Sequence, residues 1–190
     1  VVAEELRQME IPPIEGITCI PFTRKLPYNV HLSEEVILPY TLTTIETDTA
    51  FYSVFTPKII AGSWESATLQ DNSIIISRST ADKIFGGIEE ALGKTMVLAK
   101  RLYNPATPKT GGVMYCIEAV MEDIPINNTL NFMSHIDGLR LNDSEGFLQY
   151  RKRGEMTGTD TYILLKENAS PKEFTEHLKS VGYSYRLYES

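Results

Sequence analysis

FYSVFTPKIIAGSW (residues 51–64), SIIISRSTADKIFGG (73–87) and ALGKTMVL (91–98) follow one another in the middle of the chain and govern how it folds. Asp48 is placed to cap a short helix that puts Phe51, Tyr52 and Phe55 on one side. Pro57, which has no amide hydrogen, closes it. A Lys58-Ile59-Ile60-Ala61-Gly62 segment follows. Ser73–Ser77 is apolar at three successive positions, the pattern of a strand buried on both faces. Ser77 or Ser79 then caps a helix whose inward face is Ala81, Ile84 and Phe85, with Phe85 as a core anchor. Gly86 suits the left-handed exit of that helix. Ala91-Leu92-Gly93-Lys94 turns into a strand over 95–99.

Downstream, 113–122 reads as a strand, and 104–112, rich in Pro, Gly and Thr, as an exposed hairpin loop. Residues 131–158 are polar and broken by glycine, with at most a short strand near Phe132. TYILLK (161–166) is a strand. In the helix that follows, Ser170 is the cap, Pro171 takes the first helical position and Glu173 completes a capping box. Phe174, Leu178 and Val181 form its inward stripe, Gly182 ends it, and 183–188 is a last strand. Upstream, Val2, Leu6 and Met9 recur at helical spacing and Pro12-Pro13 stops the helix. A strand over 16–22, a loop through His31 and an extended segment over 35–46 complete the N-terminal part.

The two ends thus carry similar helix-and-strand units around a mostly β middle. The fold class expected is α+β. A discontinuous α/β subdomain of residues 1–47 and 158–190 would be interrupted by a β-rich subdomain of residues 48–157.

The ordered series resembles the extracytoplasmic domain of MacB/FtsX-type ABC transporter permeases. It runs from the aromatic helix through SIIIS, the helix ending at Phe85-Gly86 and the Leu92-Gly93-Lys94 turn. It then reaches Tyr115-Cys116-Ile117-Glu118-Ala119-Val120-Met121-Glu122-Asp123-Ile124-Pro125 and Asn127-Asn128-Thr129. The likeness covers 51–131 best and extends over 161–181; the first 45 residues match in pattern only. The resemblance implies a porter-like subdomain with a Sabre-like insertion, set between the first and second membrane helices of a bacterial inner-membrane permease, on the periplasmic side. It implies a non-enzymatic role, relaying ATP-driven motion of the membrane helices in export or in lipoprotein or peptide release. The partners implied are those helices, a second copy or homologous periplasmic domain, and a separate ATPase subunit or domain, with room for a periplasmic adaptor. Two other readings stay open on the residues alone: an exported ligand- or peptide-binding module, and a small α/β enzyme.

Composition narrows the field. The 190 residues suffice for one large domain or two small ones, and 42% hydrophobic with 23% charged residues is ordinary for a globular protein. A formal charge of −7 argues against nucleic acid and anionic lipid, whose binding needs clustered Lys and Arg. The dense basic cluster, Arg151-Lys152-Arg153, reads as a solvated tip. No apolar run reaches the roughly 18 residues of a membrane span. The start at Val1 and the strand-like end read as a piece excised from a longer protein.

Catalytic and metal constellations are hard to assemble. His31, His135 and His177 have no second ligand at a metal spacing. Ser77 and Ser79 fit no nucleophile motif and read as helix caps. Glu122-Asp123 before Pro125 lacks the spacing of a calcium loop. No phosphate-binding or dinucleotide glycine loop is present. No catalytic, cofactor-binding or metal residue is therefore assigned, and no cofactor. Cys19 and Cys116 read as buried thiols, with a disulfide in an oxidising compartment left open. Trp64 with Phe51, Tyr52 and Phe55 reads as a hydrophobic knot, with a ligand-binding platform as the rival reading.

Overall fold

A computed structural model of the protein describes residues 13–21, 24–69, 72–98, 112–125, 135–141 and 159–180. The expected helix over 1–9, the loop over 104–111, Phe132, Arg151-Lys152-Arg153, Val181, Gly182 and the strand over 183–188 lie outside the described residues.

The three isoleucines of SIIIS divide two cores between them. β5 (Ser73–Ser77) is buried at every position. Because strand side chains alternate, Ile74 and Ile76 enter one core with Tyr28, Val30, Met96 and Ile117. Ile75 enters the other, with Phe51, Trp64, Ala119 and Leu139. β5 pairs parallel with β7 (Val113–Met121) and antiparallel with β8 (Gly138–Leu141). β8 runs parallel to β3 (Ile37–Thr47), β3 antiparallel to β2 (Arg24–His31), and β2 antiparallel to β6 (Thr95–Leu98). β6 pairs back onto β7, so six strands close on themselves, and β4 (Ile59–Gly62) adds a seventh on β7. Closure leaves few free strand edges to template misassembly.

Glycine makes two of these approaches feasible. Gly62 has φ +67°, and a Cβ there would collide with the Glu118 carbonyl oxygen and lie 2.9 Å from Ala119 Cα. At Gly138 a Cβ would stand 2.8 Å from the Ile75 carbonyl oxygen, so only glycine lets β8 lie against β5 there.

The second sheet is a two-stranded ribbon of β1 (Ile14–Pro21) and β9 (Thr159–Leu165). Its faces are distinct. Ile17, Cys19, Ile163 and Leu165 meet Phe174 and Leu178 of helix α5 (Pro171–Ser180), whereas Ile20 and Tyr162 join the core around Phe51. The other helices are α1 (Phe51–Phe55), α2 (Trp64–Leu69), α3 (Arg78–Phe85) and α4 (Ile88–Ala91).

Most central elements sit where the sequence puts them. Ser77 caps α3, accepting from the Thr80 amide, and Gly86 ends it at φ 85°. The Ser170 hydroxyl accepts from the Glu173 amide at the start of α5. Several expectations need correction. The segment 24–31 is the strand β2 and not a loop. Leu26, Tyr28 and Val30 alternate inward, and Pro27 lies in the ladder to β3 just before the ladder to β6 starts at Tyr28. In the polar stretch 131–158 the described strand is β8, displaced from Phe132; its leading Gly138 marks a close approach and not a break. Asp48 does not cap α1: the N-cap position is Ala50, and the Asp48 carboxylate is taken by Thr18 of β1. Trp64 begins a helix that the sequence did not signal. Phe85 is half-buried, so the face of α3 that is fully inside is Thr80, Ala81 and Ile84.

Sheet membership also bears on the expected subdomain limit after Thr47. β2 and β3 lie in the larger sheet, and the chain changes sheets between Pro21 and Arg24.

Candidate functional site

Three polar arrangements interrupt the apolar interior, each where two elements meet. The first is built on the N-terminus of α3. Ser77 leaves β5 in extended conformation, so its hydroxyl turns back to the Thr80 amide at 3.3 Å. Ser79, two residues on, donates its hydroxyl (2.9 Å) and its amide (3.1 Å) to Asp123 Oδ1, just after β7. His135 Nε2 lies 3.0 Å from the same hydroxyl. Thr80 Oγ1 donates to Asp137 Oδ1 at 3.1 Å, and the Thr43 amide to Asp137 Oδ2 at 2.7 Å. Arg78 Nη2 sits 2.8 Å from Glu122 Oε1, with Lys58 Nζ at 3.7 Å.

Burial alone would raise the Asp123 carboxyl, but the Ser79 amide and hydroxyl, the His135 ring and Ser77 outweigh it and hold it below its ordinary value. Serine, histidine and aspartate are thus gathered, but not in a catalytic order. The Ser79 hydroxyl donates to the carboxylate, and the role of His135 Nε2 at the same oxygen follows its tautomer. The carboxylate contacts the serine and not the imidazole that it would have to orient. The arrangement ties α3 to the segments after β7 and before β8.

The second lies inside the closed sheet. Arg140 of β8, flanked by Leu139 and Leu141, is buried. Its Nε donates to Thr44 Oγ1 at 3.2 Å, its Nη1 to the Tyr115 hydroxyl at 3.4 Å and its Nη2 to Glu46 Oε2 at 3.4 Å. The guanidinium also lies 5.9 Å from the Tyr115 ring centroid. Tyr28 shares Thr44 Oγ1 at 2.9 Å. Burial pushes the Tyr28 phenol up from its ordinary value. Arg140, which burial would lower, is raised by Tyr28, Glu46 and Tyr115. Each nitrogen of the guanidinium has a partner, which helps keep a buried cation tolerable.

The third is the junction of the two sheets. Thr18 Oγ1 donates to the buried Asp48 carboxylate at 2.7 Å and lies 3.3 Å from Thr47 Oγ1. Gly16 lets α1 come close, since a Cβ would meet Val54 Cγ2 at 3.2 Å. The expected aromatic knot is here. Trp64 stacks on Tyr52 (5.0 Å) and Phe51 (6.4 Å), and Phe55 meets Tyr162 of the ribbon edge-on at 4.9 Å.

Of the residues singled out from sequence, Ser77, Ser79, Asp123 and His135 come together, and Glu122 joins their edge. His31 ends β2 and pairs with Ile37, and His177 is exposed on α5. Cys19 and Cys116 are free and lie in different sheets. Cys19 is buried; Cys116 is half-buried, and its thiol is pushed up to about 11 by burial and then by Glu118. Among the described residues no cluster of three or more His, Cys, Asp or Glu is placed to hold a metal. Sequence reasoning passed over Arg140 and Thr18. The signal for Arg140 was a lone charge between two leucines; for Thr18 there was none.

The sequence model of the family described as MacB-like periplasmic core domain matches residues 2–181. No curated protein sequence matches the chain. Among solved structures, one is a domain of a Porphyromonas gingivalis protein assigned as a permease. It shares 26% identity, with 95% of this chain and 74% of that one covered and a TM-score of 0.67. The periplasmic region of MacB from Actinobacillus actinomycetemcomitans is 15% identical over 95% of this chain and 73% of its own (TM-score 0.58). The extracellular domain of the ABC-type transporter YknZ from Gram-positive bacteria is 13% identical over 94% and 76% (TM-score 0.53). These last two carry likeness of fold alone.

Proposed function

The chain belongs to the family of MacB-like periplasmic core domains, the periplasmic part of ABC transporter permeases that work with an ATPase, and on that premise we propose that it relays motion between the permease's membrane helices and the periplasm. One observation carries the reading. The first and the last strand of the described residues, β1 and β9, pair antiparallel, with Ile14 opposite Leu165. The Lys166 amide also donates to the Pro13 carbonyl at 2.8 Å. Two segments far apart in sequence are thus held side by side. A displacement delivered to either strand acts on the ribbon as a unit.

The ribbon in turn bears on the end of β3 through Thr18, Asp48 and the α1 aromatics. β3 is the longest strand among the described residues and pairs with both β2 and β8 of the closed sheet. Membrane motion would therefore reach the closed sheet as a shift of the ribbon against Asp48 and α1. The discontinuous, porter-like part of this device is the ribbon with α5, and the inserted part is the closed sheet. The pairings of β2 and β3 favour counting those two strands with the insertion.

The test is hydrogen exchange on the full-length permease with its ATPase, nucleotide-free and trapped with ATP and vanadate. Exchange at the β1 and β9 amides is expected to differ between the two states, while that at β5 stays the same. Identical exchange at β1 and β9 in both states would overturn the relay.

A further inference from the structure

We propose that the tip of the β2–β3 hairpin, residues 33–38, is a docking knob for a separate periplasmic protein that presents an apolar slot rimmed by Lys and Arg. Three consecutive large apolar residues stand out there: Val36, Ile37 and Leu38 are 44%, 49% and 40% exposed. Single exposed hydrophobes are ordinary on a protein surface, but a contiguous set marks a contact site. Ile37 and Leu38 are strand neighbours and point to opposite faces, Ile37 beside His31 and Leu38 beside Val30. Apolar surface therefore lies on both faces of the hairpin end, and its complement is a slot and not a flat sheet.

The knob is ordered in advance. The Leu32 and Ser33 amides donate to the Val36 carbonyl at 3.0 and 3.4 Å, and the Val36 amide to Ser33 Oγ at 3.1 Å. Lys94 Nζ donates to the Leu32 carbonyl at 3.4 Å from the turn before β6. A turn fixed before contact loses little entropy on binding.

Charge and position select the occupant. Glu34 and Glu35, both exposed, sit at the crest and form no ion pair among the described residues. With a net charge of −7 on the chain, a second copy would meet the crest with repulsion, and so would an anionic lipid surface. The knob also lies at the opposite end of β3 from the contact with β1. Eleven residues of extended chain put that separation at about 33 Å. If the relay reading is right, on which this placement rests, the knob points away from the membrane.

A photo-crosslinking amino acid at Ile37 of the full-length permease, in native membranes, tests this. The expected result is an adduct with one protein other than the permease, identified by mass spectrometry and then purified. That protein should bind the permease in nanodiscs with affinity at least tenfold weaker for Ile37→Asp. The double variant Glu34→Lys/Glu35→Lys should also weaken binding at low salt, with the difference fading at high salt. Unchanged melting of the variants would show that they fold. Adducts only with lipid, adducts only with another permease copy, no adduct, or binding indifferent to Ile37→Asp would each overturn the proposal. None of these outcomes depends on exchange at β1 and β9, so the knob and the relay fail separately.

Discussion

In the closed sheet β5 is buried on both faces and its isoleucines feed two cores, whereas the ribbon of β1 and β9 has one small cluster of its own, Ile17 and Cys19 against Phe174 and Leu178. The ribbon's other face is completed by the larger body, through Ile20 and Tyr162 in the core around Phe51. Hydrophobic stabilisation scales with the apolar area removed from water. The closed sheet therefore holds itself together, and the ribbon is stable chiefly as a docked element. A part that must transmit movement gains from this asymmetry, because the low-stability element can shift while the body stays intact.

The sharpest attack on that picture is at the seam. Phe51 is fully buried, stacked on Phe55 at 4.8 Å, and lies where ribbon and body share a core. Phe51→Ala should destabilise by roughly 3–5 kcal/mol, a large share of the roughly 5–15 kcal/mol typical of a domain. Urea unfolding followed by Trp64 fluorescence gives the measurement. An unchanged midpoint would mean that α1 does not join the two regions.

A milder change separates the regions. Leu178→Ala, on the ribbon's own cluster, should cost about 2 kcal/mol, near the low end for buried leucines because the site is small and close to the surface. Its effect should be local: β1 and β9 amides lose protection against hydrogen exchange, and β5 amides keep theirs. Equal loss at all three strands would break the distinction. Phe85→Ala makes the counterpart within the body. Being half-buried, Phe85 should cost less than Phe51, about 2 kcal/mol; a loss equal to that of Phe51→Ala would show that α3 is as central as β5.

The smallest expected effect concerns the clamp on α3. The Asp123 carboxyl is held below its ordinary value, so its charge contributes stability that is present above the unfolded value, about 4, and fades as pH falls through the lower folded value. Asp123→Asn should therefore be less stable than the natural chain at pH 7, with the gap narrowing below about pH 4. A gap that stays constant from pH 7 to pH 3 would show that the charge plays no part.

Much of this was legible without coordinates, wherever the code is local. SIIIS announces a strand buried on both faces, Ser77 and Gly86 bracket α3, and Ser170 with Glu173 marks the start of α5, because caps and periodicity act within a few residues. The same order of elements led to the family. The legibility failed where a residue's role depends on a distant neighbour. The segment through His31 read as a loop until its ladders to β3 and β6 showed it to be a strand. Gly138 looked like a break until Ile75 proved to lie against it. Asp48 had the local features of a cap, but Thr18, thirty residues away, holds its carboxylate.

By itself, then, the sequence determined β5, α3 and α5 with their caps, the α+β class, and an acidic chain without a metal-spaced or nucleotide-binding motif. Only the tertiary structure decided which strands share a sheet, that six of them close on themselves, that Arg140 is buried with Thr44, Tyr115 and Glu46, and that Ser79, Asp123 and His135 meet without forming a relay. The physical reason is range. Backbone preference and capping are settled between neighbours along the chain. Strand pairing, the desolvation of a charge and the direction of a shared proton are settled by groups that only the fold brings together.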